Sequence, residues 1–156
     1  MKHQNNFQIV PYKDSYRDQI TSVWERSVLA THQFLSKEDF FQIKDFVRTI
    51  DFNSLDIFGL SDELELIGFI GISDNKIEML FLLPEYFGQG FGKQLIQFAI
   101  SELNADKVDV NEQNVSATEF YKKMGFTVYD RNEKDDLGKD YPILKMKILQ
   151  DIINEC

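Results

Sequence analysis

An α/β (α+β) fold is what this sequence predicts, with a mixed central sheet of about six to seven strands covered by helices on both faces. Three observations carry the prediction. Strand-like and helix-like segments are interleaved along 156 residues, which suits a single domain over residues 1–156. Two short polar breaks, at 61–63 and 73–75, join three apolar runs as hairpins. An apolar run at 79–83 leads through the glycine-punctuated turn Gly88-Gln89-Gly90-Phe91-Gly92 into a helix. No segment repeats, which agrees with a single mixed sheet.

The elements follow in order. Residues 7–12 read as a first strand, and Asp14 is placed to cap a helix running to about Leu29 with Ile20, Val23, Trp24, Ser27 and Val28 as its buried stripe. After the loop Thr31-His32-Gln33-Phe34-Leu35, Ser36 opens a second helix that carries Phe40, Ile43, Phe46, Val47 and Ile50. Strands are predicted at 55–60, 64–72 and 76–83, with Pro84 closing the last because it cannot donate to a ladder. The helix after the glycine turn, about 90–103, buries Leu95, Ile96, Ala99, Ile100 and Leu103. A short strand at 108–110 precedes a helix at 116–123, whose residues Ala117, Phe120, Tyr121 and Met124 share one face and which Gly125 ends. A strand begins at 126–129, a charged loop spans 130–140, and 143–149 alternates Leu144, Met146 and Ile148 with Lys145 and Lys147, which makes a hairpin with one buried face.

Composition narrows the function. Net charge is −9, from 26 acidic and 17 basic residues, which disfavours nucleic acid and draws in a cationic or amine acceptor. Cys156 is the single cysteine, so no internal disulfide is expected, and it lacks the defined surroundings of a nucleophile. Two His far apart give no metal-ligand spacing, so no metal is predicted. The absence of a long apolar run predicts no membrane contact, and the polar start at residues 1–6 predicts no signal peptide; a cytoplasmic protein is expected.

Alternating glycines at a strand-to-helix turn let the backbone take positive φ and present N–H groups where a helix N-terminus already offers unpaired donors. Phosphate oxygens fit there, from Gly88 to Lys93. A tight connection without a ligand has the same composition. The spacing is neither the dinucleotide G-x-G-x-x-G nor a P-loop, since Lys93 is followed by Gln94.

The stretch Pro84-Glu85-Tyr86-Phe87-Gly88-Gln89-Gly90-Phe91-Gly92 resembles the acyl-CoA pyrophosphate loop of the GNAT-superfamily N-acetyltransferases, with Phe87 where that family carries Arg or Gln. A second stretch, Asn114-Val115-Ser116-Ala117-Thr118-Glu119-Phe120-Tyr121-Lys122-Lys123-Met124-Gly125-Phe126, resembles the family's later signature, and the element order is similar from end to end. The segments at 31–35 and 135–139 further resemble a small bacterial single-domain subgroup. The resemblance implies acetyl-CoA as co-substrate and an amine, small molecule or peptide, as acceptor. It implies binding by the strand backbone at Phe81, Leu82 and Leu83, by Gly88, Gln89, Gly90, Phe91, Gly92 and Lys93, and by Asn114.

Tyr121 is either a core residue or, as the resemblance implies, the acid that protonates the departing thiolate; a phenol with a reference pKa of about 10 keeps its proton for that task. Asn114 serves as a helix cap, as a contact to the pantetheine arm, or as both. No base is marked: His32 has a suitable reference pKa but also reads as structural, and Glu112 could act through a water or be a solvated loop acid. Trp24, Phe34 and Tyr141 line an acceptor pocket or simply fill the core. The leading function is an acetyl-CoA-dependent N-acetyltransferase working by direct attack of a primary amine. A noncatalytic acyl-CoA-binding module is the alternative, a nucleotide binder a weaker third, and the last hairpin offers a face for a homodimer.

Overall fold

The computed structural model describes residues 7–148. Seven strands form one sheet, β1 (Gln8–Pro11), β2 (Asp56–Ser61), β3 (Leu66–Ser73), β4 (Lys76–Leu82), β5 (Lys107–Asn111), β6 (Thr127–Asn132) and β7 (Ile143–Lys147), in the spatial order β1-β2-β3-β4-β5-β7-β6. Every neighbouring pair is antiparallel except β4 and β5. Among the described residues four α-helices, α1 (Arg17–Thr31), α2 (Lys37–Arg48), α3 (Phe91–Leu103) and α4 (Val115–Lys123), cover the sheet. None of the described helices is long and apolar enough to cross a membrane.

Helix α1 buries the stripe Ile20, Val23, Trp24, Ser27 and Val28 at i, i+3, i+4, i+7 and i+8, as the spacing requires. It begins later than the sequence suggests: Asp14 opens a single 3-10 turn, and its carboxylate accepts from Asn53 instead of capping α1. The expected caps of α2 and α4 are present, with Ser36 Oγ accepting from Asp39 N at 3.0 Å and Asn114 Oδ1 from Ala117 N at 3.2 Å. Leu64, expected to open β3, is instead fully in solvent, because Asp62 Oδ1 takes the N–H groups of Leu64 and Glu65 and holds the chain in a turn. The expected buried face of α2 is also interrupted, since Phe46 is 49% exposed. Leu149 lies outside the described residues.

One feature of the sheet positions the site. β3 is buried along nearly its whole length, from Leu66 to Ile72, so β4 is held firmly on that side. On its other side β4 meets β5 only at Lys76–Lys107 and Ile77–Val108, after which the two parallel strands part. Helix α4 follows β5 and packs on it, while α1 packs across β3 and β4. The sheet is therefore split open where its strands end.

Candidate active site

The split leaves main-chain groups of β4 without a strand partner. Leu83 N–H donates to Ile67 O at 2.8 Å, and antiparallel pairing alternates, so Phe81 and Met79 also bond toward β3. Leu82 and Leu80 then direct their N–H and C=O groups the other way, into the gap. Of the three strand residues singled out by sequence, Phe81 and Leu82 border the resulting cavity, whereas Leu83 is 5% exposed and belongs to the core.

That cavity, about 450 Å³, runs from Leu80, Phe81 and Leu82 to the glycine turn and is closed by Asn114, Phe120 and Tyr121. Gly88 and Gly90 have φ of +75° and +89°, and nothing lies within 4 Å of where a Cβ would project from either. The glycines are thus required by backbone conformation, and the space above them is open for a ligand. At Gly92 the reason differs: a Cβ would come within 3.3 Å of Phe120, so this glycine lets α3 and α4 approach. The N–H groups of Phe91, Gly92 and Lys93 form the first turn of α3 and have no intrahelical acceptor. Lys93 and Phe87 also line the cavity, while Gln89, expected to bind the cofactor, folds its side chain back onto Glu85 O at 3.1 Å and does not border it. Open glycine conformation, free N–H groups and a lysine together fit a diphosphate.

Tyr121 lies at the junction. It is 6% exposed, packs edge-on against Phe126 at 5.7 Å, and borders both the donor cavity and a smaller one of about 150 Å³ between β4 and β5. Burial pushes its phenol well above the ordinary tyrosine range, so the hydroxyl keeps its proton at neutral pH. Asn114, whose carbonyl oxygen is used in capping α4, borders the same two cavities.

A third cavity, about 400 Å³, opens on the opposite side of the split. Its walls are Trp24, Val28, Leu35, Ile43, Phe46, Met79 and Leu137, and its charged groups are Glu78, Asp109, Asp135 and Asp136. Here Phe46 gains a reason for its exposure. His32 and Phe81 border all three cavities, so they stand between donor and acceptor sides.

The carboxylates of this third cavity are unlike surface acids. Asp109 Oδ2 binds Lys76 Nζ at 3.0 Å, but Asp109 Oδ1 is buried without a partner. Burial raises the Glu78 carboxyl above its usual range, and the charges of Asp109 and Asp136 add to the rise against the opposing pull of Lys76. Sequence reasoning missed Glu78, Asp109 and Asp136. Their only local signal was the polar alternation of Glu78 on β4, and their convergence depends on strand register.

Of the two base candidates, the structure brings His32 to the junction and leaves Glu112 aside. Glu112 is held in a two-point pair by Arg131, Nε to Oε2 at 3.0 Å and Nη2 to Oε1 at 2.9 Å, which lowers its carboxyl below the ordinary range. His32 is partly buried against Phe34, and burial lowers its pKa from 6.5 to about 4, so the ring is neutral. Trp24 does line the acceptor cavity. Phe34 and Tyr141 instead belong to a clasp outside it, where Tyr141 Oη donates to Asp39 Oδ2 at 2.5 Å and Lys139 Nζ binds Asp39 Oδ1 at 3.1 Å and also Gln42. The clasp ties the β6–β7 loop, with Asp135, Asp136 and Leu137, to α2.

A sheet split between a diphosphate cradle and an acidic, apolar-walled groove suits an enzyme that passes an acyl group from a long phosphorylated carrier to an amine. The chain belongs to the GNAT acetyltransferases: the family described as "Acetyltransferase (GNAT) domain" matches residues 25–148. It is an N-acetyltransferase. Over 129 residues it is 38% identical to the peptidyl-lysine N-acetyltransferase YjaB of Salmonella typhimurium, covering 83% of this chain and 89% of that protein. Escherichia coli YjaB is equally similar in sequence, and its apo solution structure matches with a TM-score of 0.84 at 34% identity, over 92% of this chain and 97% of that one. The PaiA N-acetyltransferase of Thermoplasma acidophilum, solved in complex with coenzyme A, shares the fold with a TM-score of 0.71 and 23% identity, over 91% of this chain and 99% of that one.

Proposed function

We propose that this enzyme acetylates the ε-amine of lysine in peptides or proteins, using acetyl-CoA as donor. The observation that carries the acceptor is the apolar-walled groove in which the carboxylates of Glu78, Asp109 and Asp136 come together. Carboxylates gathered at one end of the groove favour an arriving ammonium or amine N–H. The aliphatic and aromatic walls suit a lysine's four-carbon stem. The names of the YjaB proteins, each a peptidyl-lysine N-acetyltransferase, support the same reading.

Acetyl-CoA supplies an acetyl thioester. The 88–93 backbone and Lys93 hold its diphosphate, and Asn114 with the inward groups of Leu80 and Leu82 receives the pantetheine arm. An N–H of β4 at the split stabilises the charge that builds on the acetyl oxygen. Glu78 and Asp109 orient the amine, His32 takes its proton, and Tyr121 Oη–H donates to the sulfur as the C–S bond breaks. Residues 1–156 act as one such domain in the cytoplasm.

CoA release should be measured with a lysine peptide, the same peptide carrying a blocked ε-amine, and spermidine. Turnover with the free lysine peptide alone is the expected result. Turnover with spermidine and none with the peptide would overturn the acceptor assignment.

A further inference from the structure

Thr31 is the last residue of α1, and its hydroxyl has two close neighbours. Oγ1 lies 2.8 Å from Ser27 O and 2.8 Å from His32 Nδ1. A carbonyl oxygen can only accept, and a hydroxyl has one hydrogen. If that hydrogen pointed at Nδ1, two lone-pair-bearing oxygens would face each other at 2.8 Å with nothing between them. The hydrogen therefore goes to Ser27 O, the familiar back-bond of a helical threonine to its i−4 carbonyl. Oγ1 then offers a lone pair to His32, so Nδ1 must carry the proton. A neutral imidazole has one N–H, which leaves Nε2 as a bare lone pair.

The backbone fixes this arrangement further. His32 N–H donates to Val28 O at 2.8 Å, so the ring is rooted at the C-terminal end of α1, and the Phe34 ring lies 5.1 Å from it. The imidazole borders both the donor cavity and the acceptor groove. Burial keeps it neutral, as its lowered pKa requires.

We propose that Thr31 is a positioning residue that fixes His32 in the Nδ1–H tautomer, so that Nε2 is the atom that takes the proton from the attacking amine. This rests on the N-acetyltransferase reading with His32 as base. The proton balance is complete. The acceptor enters as the free amine, its ammonium proton having gone to solvent. As nitrogen bonds to the acyl carbon, its N–H becomes strongly acidic and passes to Nε2, while the C–S electron pair leaves with sulfur and Tyr121 supplies the sulfur's proton. The imidazolium then returns its proton to the Tyr121 oxygen, directly or through solvent, and both groups are reset. In the imidazolium the Nδ1–H bond to Thr31 Oγ1 becomes charge-assisted, so the same contact that sets the tautomer stabilises the charged form.

The test combines spectroscopy with kinetics. Imidazole 15N shifts of the wild-type protein, with His32 assigned by comparison with His32→Asn, should show a protonated Nδ1 and a bare Nε2. Thr31→Val should mix the tautomers and lower kcat by about tenfold to a hundredfold, below the full worth of general base catalysis, a larger effect than any on KM for acetyl-CoA, whose cavity Thr31 borders. Thr31→Ser keeps the hydroxyl and should restore both the shifts and kcat. An Nε2–H tautomer in the wild type would overturn the proposal whatever the activity. Full kcat in a folded Thr31→Val protein would overturn the positioning role. Failure of the acetyltransferase reading would show separately, as wild-type inactivity on amines with the tautomer as described.

Discussion

Acidification should weaken this protein through His32 in a predictable window. The ring titrates at 6.5 when free and at about 4 in the fold, because burial disfavours its cation. The folded pKa is the lower of the two, so the unfolded chain binds the proton first. Stability contributed by the neutral ring is complete above pH 6.5 and is lost as pH falls toward 4. Between pH 7.5 and 5.5 that loss amounts to about 1.3 kcal/mol from this one group. The window stays above the sequence pI of 4.7, where solubility is lowest. Urea denaturation of the wild type and of His32→Asn at pH 7.5, 6.5 and 5.5 isolates the effect, because the carboxylates are common to both proteins. Glu78, whose raised carboxyl gives a slope of the opposite sign, cancels in the same way. The asparagine retains an amide donor for Thr31 but has nothing to titrate. The stability gap between the two proteins should therefore shift by about 1.3 kcal/mol across the window. Parallel curves would refute the burial argument and with it the neutral imidazole on which the base assignment depends.

Three further outcomes follow from the donor and acceptor cavities. Gly90→Val should abolish the thermal shift given by CoA while the protein stays folded, because the residue sits at φ +89° with open space above it; retained binding would rule out the 88–93 cradle. CoA should bind more tightly than dephospho-CoA at low salt, with the gap shrinking at high salt, if Lys93, Lys122 or Lys123 meets the 3′-phosphate; equal affinities in calorimetry would exclude all three. Asp136→Asn should raise KM for a lysine peptide severalfold and leave kcat and acetyl-CoA binding unchanged, since Asp136 borders the acceptor groove and not the donor cavity; an unchanged KM would remove it from acceptor binding.

Much of the architecture was legible because its signals are local. Helical spacing marked the buried stripe of α1, side-chain chemistry marked Ser36 and Asn114 as caps, and alternating glycines marked the turn whose φ values are +75° and +89°. A sheet of about six to seven strands, with its hairpins, followed from turn residues and alternation, and the structure has seven. Errors had two sources. Asp14 left its cap for the distant Asn53, and a local turn, in which Asp62 takes the Leu64 N–H, drew Leu64 out of β3. The acceptor groove was not legible, because Glu78 on β4, Asp109 on β5 and Asp136 in the β6–β7 loop meet only through strand register and through the Asp39–Lys139–Tyr141 clasp. Glu112 shows the same limit from the other direction: Arg131, 19 residues away, reaches it from β6, at a distance no local pattern reports. Thr31 was visible only as a loop residue, and its bearing on His32 depends on two distances that spacing cannot supply.

The central claim is that this sheet split carries out acetyl transfer with Tyr121 as the acid. Its most direct test is the rate of Nε-acetyl-lysine formation, followed by mass spectrometry on one lysine peptide, for the wild type and Tyr121→Phe at saturating acetyl-CoA. Removing the hydroxyl leaves the ring packing against Phe126 in place, so acetyl-CoA affinity should change little. The account predicts acetylated peptide from the wild type in step with CoA release, and kcat lower by on the order of a hundredfold or more in the variant. An active wild type whose Tyr121→Phe variant keeps full kcat would contradict it.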